Sequence, residues 1–404
     1  MSLKDRIINS LEERRENVLN GGINCIPLPF HRFRSEMSGI EQGNYYLITG
    51  ATKSAKTQIT NYLFVYNTVL YTFYNPDIIY PKIFYFPLEE TAENITLRFM
   101  AFLISHITKG RVKISPVDLK STDERKPLSK EVLDIMYSNE FCNIMEHYES
   151  IVTFYDDRNP TGVWKVMTNY AKTHGETHFK TIKMKEVDDV TGEEKMVDRE
   201  VFDYYTPKCP SEYIFIIVDH VSLMIPERNM QLRECIAKLS EYMVILRNRY
   251  NYIPVIIQQQ SVETQSLDAF KQGKIRPTVA GLGDCKYTAR DCNVMIGMTN
   301  PNSFELSYYY NYKINDGGEG LKDNFRMLEI VLNRSGSANG LCPVFFNGAI
   351  NEFKELPLPK DKDIEKFYEL AENMRKERRA ITSKTLINFA KKLFNYVKFR
   401  DYSR

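Results

Sequence analysis

The stretch Gly50-Ala51-Thr52-Lys53-Ser54-Ala55-Lys56-Thr57 follows the short apolar run Tyr46-Leu47-Ile48-Thr49 and precedes a helical pattern that opens at Gln58. It departs at one place from the phosphate-binding pattern G-x-x-x-x-G-K-[ST]: Ala55 stands where the second glycine belongs. A strand, a tight turn and a helix N-terminus present successive backbone N–H groups to phosphate oxygens, so residues 50 to 58 are the candidate nucleotide cradle. Lys56 would reach the terminal phosphates and the Thr57 hydroxyl would hold Mg²⁺. A methyl at position 55 is harmful only where the backbone needs positive φ or where Cβ meets a phosphate, and alanine is the least costly replacement. Lys-Thr after a strand also arises by chance, so the loop needs partners elsewhere in the chain.

Partners present themselves at the ends of other apolar runs. Tyr213 to Val218 is continuously apolar, as a strand buried on both faces should be, and it ends in Asp219 and His220. Asp219 would bind Mg²⁺ through water; a turn-forming aspartate after a buried strand is the plainer alternative. Phe86-Pro87-Leu88 leads into Glu89 and Glu90, and a carboxylate there can orient and deprotonate an attacking water. Glu89 is preferred over Glu90, against the alternative that both are helix-start acids favoured by the macrodipole. Gln258, Gln259 and Gln260 follow the run Ile253 to Ile257, and one amide there would sense the γ-phosphate. Arg334, on the tight turn Asn333-Arg334-Ser335-Gly336, would stabilise charge on the transferring phosphoryl group if lent to a neighbouring subunit; a solvated hairpin arginine fits that stretch equally well. Lys271, Lys274, Arg276 and Lys286 lie in the polar stretch 261 to 286 and would follow a nucleic-acid backbone, although Glu263, Asp268 and Asp284 dilute their charge.

Elements able to hold these groups recur along the chain. Apolar runs at 82–86, 151–155, 213–218, 253–257, 294–298, 325–332 and 343–346 alternate with helical patterns at 58–71, 92–107, 162–173 and 229–250. This rhythm predicts an α/β fold with a mostly parallel sheet flanked by helices. Residues 109 to 130 read as a loop or lid. Residues 176 to 210 break the rhythm with two alternating runs around Thr191-Gly192, a β-hairpin inserted before a core strand. A charged helix over 3–19 needs a surface to lie on, and a basic amphipathic segment closes the chain. The domain plan is an N-terminal helical segment (1–22), an α/β core (23–356) and a C-terminal basic helical tail (357–404).

Composition narrows the class. The 404 residues carry 54 basic and 52 acidic side chains, a formal charge of +2, so nucleic-acid contact must come from local clusters. The seven cysteines are scattered with no C-x-x-C pair, which suits reduced thiols in a cytosolic setting. No apolar run is long enough to span a bilayer, so no membrane partner is expected. Richness in Asn, Lys, Ile and Tyr suits an AT-rich genome such as that of a phage.

The order of these motifs resembles the ATPase domain of the DnaB family of hexameric replicative helicases, whose fold is RecA-like. The resemblance runs from about Ile26 to Phe353 and rests on IPLPFHRFRSEMSGIEQGNYYLITG, FYFPLEET, IIVDHVSLM, IPVIIQQQS, RPTVAGLGDCKYTARDCNVMIGM and LEIVLNRSGSANG, in that order. It implies ATP and Mg²⁺ as cofactors, with Lys56 and Thr57 on phosphate and metal, Glu89 as catalytic base, Asp219 as metal ligand, Gln260 as sensor and Arg334 as the finger acting in trans. It also implies a bacterial cytosolic protein that encircles single-stranded DNA as a hexamer, with the first helix docked on a neighbour and a primase or loader as partner. Three positions depart from the family's pattern: Ala55 for glycine, Leu332 where a lysine usually precedes the finger, and Gly281-Leu282-Gly283-Asp284-Cys285-Lys286 where the family's DNA loop carries an arginine. A nucleotide-switched assembly or loading factor without unwinding is the alternative function.

Overall fold

The computed structural model describes residues 3–122, 127–187, 194–261, 275–338 and 340–377. Its strands of three or more residues are β1 (Tyr46–Gly50), β2 (Tyr80–Pro87), β3 (Val152–Phe154), β4 (Gly175–Val187), β5 (Glu194–Pro207), β6 (Glu212–Asp219), β7 (Ile253–Gln259), β8 (Val294–Thr299), β9 (Phe325–Asn333), β10 (Leu341–Asn347) and β11 (Glu352–Glu355). All except β4 and β5 join one nine-stranded sheet in the order β11-β10-β9-β8-β1-β7-β6-β2-β3. The six strands from β8 to β3 run parallel, and β9, β10 and β11 add antiparallel pairs at one side. The mostly parallel α/β expectation therefore holds, with β11 as an edge strand that the sequence pattern did not separate from its neighbours.

The larger helices are α1 (Leu3–Leu19), α2 (residues 56–74), α3 (Ala92–Ile107), α4 (Lys130–Met136), α5 (Asn139–Ile151), α6 (Pro160–His174) and α7 (Leu232–Tyr250). Helix α2 is α-helical over Lys56–Thr60, π-helical over Asn61–Tyr66 and α-helical again over Asn67–Tyr74. Two cores sandwich the sheet. Phe215 and Ile217 of β6 face the core that holds Leu63, Phe99 and Ile144, while Ile214, Ile216 and Val218 face the core that holds Met167, Leu239 and Met243. Burial on both faces is why β6 reads as an unbroken apolar run.

Helices α4 and α5 occupy a region where the sequence pattern suggested only an approach to β3. Their signals are local and strong. The Ser129 and Ser138 side chains accept hydrogen bonds from Val132 N and Phe141 N, and Phe141, Ile144, Tyr148 and Ile151 recur at helical spacing and are buried. The stretch read as a loop at 109–130 contains a short helical turn, Pro116–Leu119. The inserted hairpin forms as expected: β4 and β5 pair with each other from Gly175↔Pro207 to Val187↔Glu194 and form a sheet of their own. Helix α1 buries none of its residues. Leu3, Leu11 and Leu19 are exposed, and polar ties such as Arg14–Glu41 and Arg6 over the Tyr204 ring hold it to the body. The chain is helical again over 364–377; the basic segment after it lies outside the described residues. No described helix is long and apolar enough to cross a membrane, and all seven cysteines are free.

Candidate active site

Strand β1 lies between β7 and β8, with Gly50 level with Gln259 on one side and Met298 on the other. Residue 50 must be glycine, because a Cβ there would meet Met298 O and Ser54 Oγ at 2.6 Å. The loop that leaves β1 turns into α2 through Ala55, which sits at φ 79°, ψ 36° in the left-handed region. Of the two conditions that make a methyl harmful at position 55, the backbone meets the first: this turn does need positive φ, and alanine adopts it against its steric preference. The N–H groups of Ala55, Lys56, Thr57 and Gln58 find no backbone acceptor among the described residues, as expected for the first turn of a helix. They are the donors that a polyphosphate would take.

Lys56 Nζ donates to Ala51 O at 2.9 Å within its own loop. Burial pulls its ammonium down to about 8, with the charges of Asp219 and Glu89 pushing back. Asp219 is 2% exposed at the end of β6. It accepts from Thr57 Oγ1 at 3.1 Å and from the Tyr85 hydroxyl at 3.2 Å. Burial pushes its carboxyl up to about 7, against the pull of those two hydrogen bonds. The lysine, the threonine hydroxyl and the carboxylate thus meet at one sheet edge in a desolvated pair of charges. Anionic phosphate beside Lys56 and a divalent cation between Thr57 and Asp219 are the groups that would compensate both, so the donor set fits Mg²⁺-nucleotide.

The adjacent carboxylates divide cleanly. Glu90 is engaged by a fork from Arg98, at 3.0 Å from Nε and 2.9 Å from Nη2. Among the described residues Glu89 makes no such fork. It is half exposed and 3.7 Å from His220 Nε2, just beyond the β2 and β6 ends where Leu88 N donates to Asp219 O. Its charge acts on both Lys56 and Asp219.

The three glutamines have three different jobs. Gln258 is fully buried and donates to Gly283 O and Cys285 O, both at 2.6 Å, fastening the 281–286 loop to β7. Gln259 donates to Thr52 Oγ1 in the phosphate loop. Gln260, 3% exposed, donates to Thr49 Oγ1 at 3.0 Å and Thr278 O at 3.2 Å. The side-chain amide of Gln259 thus reaches the phosphate loop, whereas Gln260 meets the loop's first residue through its backbone, Gln260 N donating to Gly50 O at 3.0 Å.

Arg334 is at the opposite end of the sheet. Asn333 pairs with Val294, and Val294 pairs with Tyr46, the first residue of β1, so a strand length of ~13 Å separates Arg334 from the Gly50 level. Its guanidinium donates to Cys292 O at 2.8 Å and to Arg290 O. Among the nucleic-acid candidates, Arg276 is forked onto Glu329 and Lys286 is exposed at the start of a short helix, Tyr287–Asp291. Lys271 and Lys274 lie outside the described residues.

Two residues of the site escaped the sequence reading. Tyr85, one strand over, holds the second oxygen of Asp219. Arg326, the second residue of β9, donates to Ser54 O at 2.9 Å. Arg326 did leave a signal, being with Glu329 one of two charges in a largely apolar strand; Tyr85 left none, since tyrosine is ordinary in a buried strand.

No protein-family model and no curated protein sequence matches the chain. Solved structures do. One is the ATPase domain of another protein, which superposes with a TM-score of 0.56 at 14% identity, covering 88% of this chain and 99% of that one. Another is a DnaB-like replicative helicase, solved together with a study of its interactions with primase. It superposes with a TM-score of 0.57 at 13% identity, covering 88% of this chain and 67% of that one. The chain has the RecA-like fold of DnaB-type helicase ATPase domains.

Proposed function

We propose that this protein is an ATP hydrolase that assembles as a hexameric ring and translocates on single-stranded DNA, unwinding duplex ahead of it. The observation that carries the proposal is the meeting of Lys56, Thr57, Asp219 and Glu89 at one sheet edge. Arg334, at the other edge, cannot serve its own cradle. In each subunit the first-turn amides of α2 and the Lys56 ammonium bind the β- and γ-phosphates. Thr57 and Asp219 would hold Mg²⁺, which would supply neutralisation of charge developing on the phosphate oxygens. Glu89 orients the attacking water and accepts its proton. Arg334 of an adjacent subunit stabilises the transferring phosphoryl group. Helix α1, with its apolar side chains exposed, suits docking on a neighbouring subunit. A primase, with which the DnaB-like structural neighbour interacts, or a loader is a proposed partner of this chain as well.

The test is the ATPase rate across protein concentration, with and without single-stranded DNA. Turnover that rises more steeply than protein concentration and is stimulated by DNA supports the proposal. Unchanged turnover in Lys56→Ala excludes this pocket. A second reading, a nucleotide-switched assembly or loading factor, draws support from Arg276 being committed to Glu329 and from Leu332 packing into the core. Strand displacement separates the two: ATP turnover without unwinding favours the second.

A further inference from the structure

Arg326 is 4% exposed, and among the described residues its three hydrogen bonds all go to backbone carbonyls: Ser54 O at 2.9 Å, Asp323 O at 2.9 Å and Phe325 O at 2.7 Å. Its guanidinium carbon lies 5.1 Å from the centre of the Phe346 ring. The same strand offers a contrast, since Glu329 of β9 carries a forked partner in Arg276. Arg326 has no such fork among the described residues. The carboxylate whose charge it feels is Asp323, which also accepts from Asn302. Burying a cation is costly unless an anion compensates it, and burial pulls this guanidinium down to about 10.

The Ser54 carbonyl belongs to the peptide that joins Ser54 to Ala55. Holding that carbonyl fixes the peptide plane from which φ of Ala55 is measured, and Ala55 is the residue in the left-handed region. The next residue is Lys56, the cation of the phosphate cradle.

We propose that Arg326 is an internal positioning cation of the phosphate site, clamping the loop through Ser54 O so that alanine can occupy the glycine position, with its own charge compensated by the bound polyphosphate. This rests on the nucleotide reading of the loop. A clamp explains how the cradle keeps its shape without the second glycine. A buried charge behind the loop explains why an arginine, costly in a sheet core, stands in β9 at all.

The experiment is calorimetric titration of the full chain with Mg²⁺ and ATP, ADP or AMP, comparing wild type, Arg326→Gln and Arg326→Lys. Arg326→Gln keeps a donor and removes the charge; Arg326→Lys keeps the charge and removes the fork. The expected result is ATP binding weakened about tenfold by Arg326→Gln, the scale of one screened charge near the phosphates, with a smaller loss for ADP and the least for AMP. Arg326→Lys retains ATP affinity within about threefold by the same charge argument. Equal weakening of all three nucleotides by both variants would show a purely structural side chain and overturn the proposal, as would unchanged affinity in Arg326→Gln. Should Arg326→Gln not fold, the double variant Ala55→Gly/Arg326→Gln carries the same comparison, because glycine needs no clamp. A wild type that binds none of the three overturns the nucleotide reading and this refinement together; wild-type binding with an unaffected Arg326→Gln overturns the refinement alone.

Discussion

Replacing Ala55 by glycine is the sharpest probe of the phosphate loop. At φ 79°, ψ 36° an L-residue pays roughly 1–2 kcal/mol relative to the right-handed regions, and glycine avoids that cost. Against this, glycine loses about 0.4–1 kcal/mol through the larger conformational freedom of its unfolded chain. The difference leaves Ala55→Gly stabilised by about 0.5–1 kcal/mol. With an unfolding slope of roughly 3 kcal/mol per M urea, the midpoint should move up by ~0.2–0.3 M. Ala55→Val sharpens the test, since a β-branched side chain at positive φ is a steric outlier and should lower the midpoint by at least that much. The assay is equilibrium urea unfolding of the nucleotide-free protein, followed by tyrosine fluorescence and far-UV circular dichroism so that coincident transitions establish two-state behaviour. A glycine variant less stable than wild type, or a valine variant of unchanged stability, would refute the left-handed assignment. It would remove the reason for a clamp at Ser54 as well.

Glu89→Gln should lower kcat by about 10²–10⁴ while leaving ATP affinity nearly intact, whereas Glu90→Gln should keep turnover and lose about 1 kcal/mol of stability with the Arg98 fork, as rate assays and unfolding curves will show. If the proposed ring forms, mixing Lys56→Ala with Arg334→Ala protein should restore part of the ATPase activity that each lacks alone, because a mixed ring would contain interfaces with one intact cradle and one intact finger; no recovery at any mixing ratio would argue against a shared site. Glu227 accepts from Lys238 at 2.5 Å and from Thr161 N at 2.9 Å, and the Lys238 hydrogen bond holds its carboxyl down to about 2. A depressed folded-state pKa contributes stability that is present above the unfolded value near 4.5 and lost as pH falls through about 2. After allowance for solvent screening, about 1 kcal/mol should disappear across that window in acid titration monitored by circular dichroism, and Lys238→Met should flatten the slope.

Short-range patterns carried a good deal of this protein's identity. The cradle is a contiguous strand, loop and helix, and Asp219 ends an apolar run, so both are visible in the order of residues alone. The alternation that announced a parallel sheet and the turn that announced the inserted hairpin are local for the same reason: each is set by side-chain periodicity over a few residues. What the linear order could not decide was anything resting on atoms brought together from distant segments. Glu90 is paired with Arg98, across the first turns of α3. The left-handed state of Ala55 depends on how the loop must turn between β1 and α2, and the loop is held by a guanidinium 272 positions away in sequence. Gln258, Gln259 and Gln260 are chemically identical, and only the neighbours that face each amide give one the phosphate loop, one the 281–286 loop and one the buried floor between them. Periodicity reports which face of an element is buried; the pairing of a polar group with its partner is a property of the closed sheet, because burial makes each such group find one donor or acceptor and the sheet order dictates which are within reach.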